Sequence, residues 1–172
     1  KAVADAKLNA KRNKIVKSKI SFSQKDASQF LLQSEGFDYI DIDPFGTPVP
    51  FLDAAVRRIN DGGILAVTAT DTAVLAGTYP DVCRRRYWAE PMRNELMHEV
   101  ALRILIRKVQ LVGAQYDIAL IPVVSYSKDH YYRLFLSAYH KKKKCAEIIR
   151  THKYFDYCKV CMGQNVSDNF SG

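Results

Sequence analysis

Long apolar runs are missing from this 172-residue chain: its longest charge-free stretches, such as 62–70 and 118–127, fall well short of the roughly 20 residues a bilayer helix needs. Cysteine is scarce as well, and four in this length are too few for a disulfide scaffold. The opening Lys1-Ala2-Val3-Ala4-Asp5-Ala6-Lys7 has no initiator Met, no apolar signal core and no acid-poor transit character, and reads as a chain cut in mid-element. What is present suits an ordinary globular core. At 48% hydrophobic and 26% charged, with ten Tyr, eight Phe and one Trp, the composition argues against disorder and fibrous repeats. The length fits one domain, or one domain plus a small appendage. Lys and Arg number 26 against 18 Asp and Glu, a balance of +8 that points towards a polyanionic partner.

Periodicity places the elements. Val3, Ala6, Ala10 and Asn13 share a stripe, which predicts an amphipathic helix over 1–14. Alternation predicts a short strand over 20–23, followed by a helix over 27–33 and a β-rich run over 37–43 that stops at Pro44. A helix over 51–60 should end at Asp61-Gly62-Gly63, before a buried strand over 64–69. Helix and strand alternating at this spacing imply a doubly wound α/β sheet. Residues 71–87 read as a loop with one turn of helix, and Pro91 as the start of a long helix to about residue 112. Two β-rich runs, 116–126 and 131–139, are joined too closely for a crossover and must be antiparallel neighbours. A boundary is expected near residue 140, with 1–140 as one unit and 141–172 as a basic linker and the start of a cysteine-containing appendage.

Asp43-Pro44-Phe45-Gly46 lies where a buried strand runs into a loop, and open α/β sheets bind ligands beyond the carboxyl ends of their strands. The same tetrapeptide is also a common turn sequence. Its chemistry suits methylation of an exocyclic base amine. Such a nitrogen is poorly nucleophilic, because its lone pair is delocalised into the ring. A carboxylate that holds its hydrogens turns the lone pair outward and stabilises the positive charge developing on nitrogen. Pro44 leaves a free carbonyl, Phe45 offers a face for an unstacked base, and Gly46 allows close backbone approach.

The longer strings carry a resemblance. Asp41-Ile42-Asp43-Pro44-Phe45-Gly46-Thr47-Pro48-Val49-Pro50-Phe51-Leu52-Asp53-Ala54-Ala55 and Ala66-Val67-Thr68-Ala69-Thr70-Asp71 are similar to the tRNA (guanine-26) N2-dimethyltransferase family. Glu95-Leu96-Met97-His98-Glu99 and Lys128-Asp129-His130-Tyr131 resemble it too. The resemblance implies a class I (Rossmann-like) methyltransferase sheet ending in an antiparallel hairpin. It also implies S-adenosyl-L-methionine as donor, and one or two methyl transfers to the 2-amino group of a guanine in tRNA. Carried over by position, Asp43 is the catalytic carboxylate, with Pro44 and Phe45 completing the amine and base contacts. Asp26, at the end of the preceding strand, and the backbone of Ala27 would bond the cofactor's adenine. Phe45, Thr47, Asp71, Arg85 and the lysines Lys141, Lys142, Lys143 and Lys144 are the expected tRNA contacts. A class I methyltransferase holds its donor mainly with a Gly-rich loop after the first strand and an acid after the second, and this sequence contains neither, its first glycine being Gly36. The expectation is a sheet lacking its first strands, which alone binds the donor weakly or not at all.

Cys158-x-x-Cys161 has the spacing of half a zinc knuckle, and the family's second cysteine pair is missing from the eleven residues that follow. Zinc therefore stands as a half-site only. Glu95, His98 and Glu99 share a helical face but read as an ion-paired surface rather than a metal face. Arg84-Arg85-Arg86 beside Tyr87 and Trp88 reads equally as a phosphate grip and as a packed aromatic pair with exposed arginines. A monomer in the cytoplasm is expected, or in the nucleus or mitochondrion of a eukaryote. Alternative readings are methylation of another base amine or of a glutamine amide, and a non-catalytic basic RNA-binding module with a zinc knuckle.

Overall fold

The computed structural model describes residues 1–15 and 19–168. Three strands and six helices build the front of the chain: α1 (Ala2–Arg12), α2 (Ala27–Leu32), β1 (Phe37–Ile42), α3 (Val49–Val56), β2 (Ile59–Ala69), α4 (Thr72–Leu75), α5 (Pro80–Tyr87), α6 (Met97–Ala114) and β3 (Ala119–Lys128). β4 (Tyr131–Tyr139), α7 (Lys142–Arg150), β5 (Tyr154–Tyr157) and β6 (Gln164–Ser167) complete it. The sheet order is β1-β2-β4-β3, with β1 parallel to β2 and β4 antiparallel to both its neighbours. The hairpin's second strand thus inserts beside β2 and leaves β3 parallel to β2 at the edge. This is the mixed sheet with a terminal antiparallel hairpin that the alternation predicted.

Period two governs β4: Tyr132, Leu134, Leu136 and Ala138 are fully buried, while Arg133, Phe135 and their odd-numbered neighbours are half-buried. This strand packs against α6, and α3 lies against β1 and β2; Leu52 and Val56 of α3 and Leu105 and Val109 of α6 are also fully buried. Each such side chain contributes about 1.5–3 kcal/mol of hydrophobic stabilisation.

Several expectations are corrected. Residues 20–23 form no strand, because an alternation of four residues finds no sheet neighbour there. The helix expected over 51–60 ends at Val56, because Ile59, only 2% exposed, is drawn into the core opposite Phe37. Asp61-Gly62-Gly63 therefore lies inside β2. The pairing advances from Phe37 to Tyr39 on β1 but from Ile59 to Ile64 on β2, a bulge that Gly62 accommodates at φ 80°. The supposed loop 71–87 holds two helices, α4 and α5. The long helix starts at Met97 rather than Pro91, after a turn in which Leu96 N donates to Asn94 Oδ1 at 3.0 Å. It ends where Ile118 N donates to the Gly113 carbonyl at 3.0 Å, which delays β3 to Ala119. A Cβ at Gly113 would stand 2.6 Å from the Ile118 oxygen, so this close crossing needs glycine.

Across residue 140, α7 packs on α6 and β3 with Cys145 buried, and His152 Nε2 lies 2.8 Å from Gln110 Oε1. The β5–β6 hairpin follows, and Tyr157 donates to Glu95. No described helix is long and apolar enough to cross a membrane.

Candidate active site

Parallel β1 and β2 end side by side, at Ile42 and Ala69, so the loops that follow them face one crevice. Asp43 stands just past β1, and Gly46 turns the chain at φ 84°. Gly46 N donates to Thr70 Oγ1 at 2.6 Å, and Thr70 N donates back to the Gly46 carbonyl at 3.0 Å. One residue on, Thr47 Oγ1 lies 2.8 Å from the Tyr87 hydroxyl, which itself donates to Asp71 at 2.8 and 3.0 Å. Arg86 pairs with the same carboxylate at 3.4 Å. Tyr87 is fully buried, and its hydroxyl is held well above the ordinary tyrosine range, first by burial and then by the Asp71 charge. Four residues, Thr70 and Asp71 after β2 and Arg86 and Tyr87 of α5, thus fix the loop at Gly46 and Thr47. Between strand and anchor the reactive groups stay open: Asp43 is exposed, Pro44 is half-buried, and the Phe45 ring is completely exposed at 106%. Burying that ring against a ligand is worth about 1.5–3 kcal/mol.

Three acids decorate the β1 run, and the structure separates them. Asp38 accepts from Asn60 Nδ2 at 2.9 Å. Asp41 receives both terminal nitrogens of Arg133 at 2.7 Å, which hold its carboxyl below the ordinary range against the opposing effect of burial. Arg133 also donates to Thr68 and lies 4.7 Å from the Phe135 ring. Asp43 makes no hydrogen bond among the described residues, so its carboxylate is free to take an outside donor.

The remaining expected site residues scatter. Asp26 lies at no strand end among the described residues: 20–23 form no strand, and it caps α2, accepting from Gln29 N at 2.9 Å. Ala27 lines a cleft of about 270 Å³ with Phe30, Leu31, Phe37, Tyr39 and Ile40, against the free edge of β1. Arg85 is exposed and makes no ion pair among the described residues, whereas Arg84 is held by Asp81 and Glu90 at 2.5 and 2.6 Å. The presumed aromatic pair divides. Tyr87 turns inward, and Trp88, left-handed at φ 55°, lies over the Lys108 ammonium at 3.2 Å.

The lysine run follows β4, and β4 runs from Tyr132 beside Ala69 to Ser137 beside Ile64, so these lysines stand at the opposite end of the sheet from Asp43. Seven residues of strand separate Tyr132 from Tyr139, on the order of 23 Å. Two of the four are engaged within the chain: Lys142 with Asp117 at 3.5 Å, and Lys144 over the Tyr139 ring at 3.6 Å. The carboxylate-histidine face expected on one helix does not form, because Glu95 precedes α6: Glu95 is bonded to Tyr157, His98 Nδ1 lies 3.0 Å from the Tyr132 hydroxyl, and Glu99 pairs with Arg103.

Cys83 is fully buried, and burial pushes its thiol up to about 12, as suits a small apolar residue rather than a nucleophile. Cys158 and Cys161 sit exposed at the tip of the β5–β6 hairpin, where the backbone N–H groups of Cys161 and Val160 lower the Cys158 thiol below its ordinary value. Among the described residues no three His, Cys, Asp or Glu gather into a metal site. Two thiolates do not close a tetrahedral zinc site.

Sequence reasoning missed Thr70 and Arg133, and it gave Tyr87 no part in holding the loop. Nothing in local spacing marks them, since each acts on a residue at least 24 positions away.

Comparison with known proteins agrees with this fold. A family model described as N2,N2-dimethylguanosine tRNA methyltransferase matches residues 1–171. The chain is 47% identical over 168 residues to a tRNA (guanine(26)-N(2)/guanine(27)-N(2))-dimethyltransferase of Aquifex aeolicus, covering 96% of this chain and 43% of that relative. It is 45% identical over 126 residues to a tRNA (guanine(26)-N(2))-dimethyltransferase of Thermococcus kodakarensis, covering 73% of this chain and 34% of that one. The solved structure of Trm1 from Pyrococcus horikoshii with S-adenosyl-L-methionine aligns with a TM-score of 0.83 at 37% identity, over 87% of this chain and 40% of that chain. The chain spans less than half the length of these relatives.

Proposed function

The chain belongs to the N2,N2-dimethylguanosine tRNA methyltransferase family, and from that membership we propose that it carries the base-accepting side of a tRNA (guanine-26) N2-dimethyltransferase. The observation that carries the reading is the Asp43-Pro44-Phe45-Gly46 loop, anchored behind and open in front, with an exposed carboxylate that makes no hydrogen bond among the described residues beside a wholly exposed aromatic ring. Phe45 stacks on the guanine drawn out of the RNA. Asp43 accepts a hydrogen of its 2-amino group and the Pro44 carbonyl a second, so that the nitrogen lone pair faces away from the loop. As positive charge grows on nitrogen, the Asp43 carboxylate stabilises it and takes or passes on the proton. After one methyl has been added a single N–H remains, enough for Asp43 to hold during a second transfer.

S-adenosyl-L-methionine, when bound, supplies a methyl group on a cationic sulfur. The apolar cleft beside Ala27 offers flat contact to an adenine ring, and Asp26, with one oxygen used by Gln29, keeps a second to accept from an amino group. tRNA is the proposed partner, with Arg85, Lys141 and Lys143 as phosphate contacts. Cys158 and Cys161 are proposed as two of four zinc ligands, supported by the backbone N–H groups that favour the Cys158 thiolate.

Asp43→Ala in the active enzyme tests the reading. The expected result is a fall of about 10²-fold or more in N2-methylguanosine formation, measured by mass spectrometry of tRNA digests. Turnover near wild type would refute the assignment.

A further inference from the structure

We propose that the Tyr87 hydroxyl is the positioning group of this site: linking Thr47 to Asp71, it sets where the Asp43–Thr47 loop stands against the end of β2. The hydrogen-bond directions are constrained. A carboxylate only accepts, so Tyr87 gives its one proton to Asp71 and must accept from Thr47. The chain therefore runs from the Thr47 hydroxyl through the Tyr87 hydroxyl to Asp71, with Arg86 closing it from the solvent side at 3.4 Å. It joins the loop after β1, the loop after β2 and the last turn of α5, three segments that share no strand pairing with one another at this point. Among the described residues, the other hydrogen-bonded anchor of the loop is the Gly46–Thr70 pair.

Gly46 and Thr47 both lie beyond the reactive residues, and a tether at Gly46 alone leaves the chain free to pivot. A second bond one residue later removes that freedom, and with it the swing of Asp43 and Phe45. A buried hydroxyl is tolerated only when hydrogen-bonded, and the fully buried Tyr87 meets that condition through Thr47 and Asp71 together. The Tyr87 ring could pack as phenylalanine; only the hydroxyl reaches the loop.

The inference rests on the methyl-transfer reading for its effect on turnover and on geometry alone for its effect on the loop, so two measurements are made on Tyr87→Phe. Amide hydrogen exchange should accelerate at least about 10-fold in residues 43–48 and 70–72 while α6 and β4 keep wild-type protection. In the active enzyme, kcat for tRNA methylation should fall about 10-fold with KM for tRNA unchanged. Thr47→Val should give the same loss, and the double variant no more than either alone. Unchanged exchange at 43–48, or acceleration spread evenly over the core, overturns the positioning role, as does wild-type turnover in Tyr87→Phe. A wild-type enzyme that makes no N2-methylguanosine overturns the function instead, and the exchange result still decides the role of Tyr87.

Discussion

The two ends of the sheet carry the two most conspicuous short motifs of this chain, and the structure treats them differently. At one end, Asp43-Pro44-Phe45-Gly46 is gripped from Thr70, Tyr87 and Asp71, yet its own carboxylate and ring are left open. At the other, four lysines that form one block in sequence become individuals: Lys142 pairs with Asp117, Lys144 covers Tyr139, and Lys141 and Lys143 point outward with no ion pair among the described residues. A motif acquires geometry when distant segments converge on it. A charge run without such convergence remains a set of separate solvated cations.

The sharpest way to break this contrast is to swap the damage. Asp43→Ala should cost about 10²–10³ in kcat while leaving tRNA affinity within about threefold, because it removes the contact proposed to the reacting amine. A variant that instead loses tRNA binding would show that the loop is an anchoring surface.

Replacing Lys141 and Lys143 together by Ala should do the opposite. Affinity for tRNA falls, and the slope of log Kd against log salt drops by about 2, with kcat unchanged; filter binding across a salt series measures it. An unchanged slope would remove this end from the RNA footprint.

A subtler test concerns Asp41, which is paired and therefore not a rival to Asp43. Its folded-state carboxyl is lowered from an ordinary value near 3.8, first by the Arg133 hydrogen bonds. The pair thus stabilises the fold above that pH, and its contribution is lost as pH falls through the lower folded value. Urea midpoints of the wild-type chain should drop more steeply than those of Asp41→Asn between about pH 4 and pH 2. Parallel profiles would mean that the Arg133 pair contributes nothing measurable.

Smallest of all is the expected effect of the cysteines. Changing Cys158 and Cys161 together to Ser should alter kcat less than about twofold, because the hairpin meets the body through Tyr157 and Glu95 rather than through the loop. A tenfold loss would make the hairpin part of the catalytic unit. Separately, calorimetric titration of this 172-residue chain with S-adenosyl-L-methionine should show no micromolar binding, since no Gly-rich loop precedes Gly36.

Legibility followed range. β1 and β4 came from β-rich runs and the hairpin from the short connection between two of them, and β4 was read to the residue. The end of α3 and the start of β2 were misread because turn-like Asp61-Gly62-Gly63 sits in a bulge, whose only requirement is that Ile59 reach the core. Residues 20–23 show the converse: a β pattern without a neighbouring strand forms nothing.

Sequence by itself determined the alternating α/β order, the hairpin, and Asp43 at a strand end, because each depends on side chains a few positions apart. Tertiary structure alone decided that β4 inserts beside β2, that the lysines face away from Asp43, and that Tyr87 holds the loop. Those outcomes rest on contacts 24, 40 and 92 residues apart, from Gly46 to Thr70, Thr47 to Tyr87 and Asp41 to Arg133. Pairings at such separations leave no local period to read, and they exist only once the core has brought the segments together.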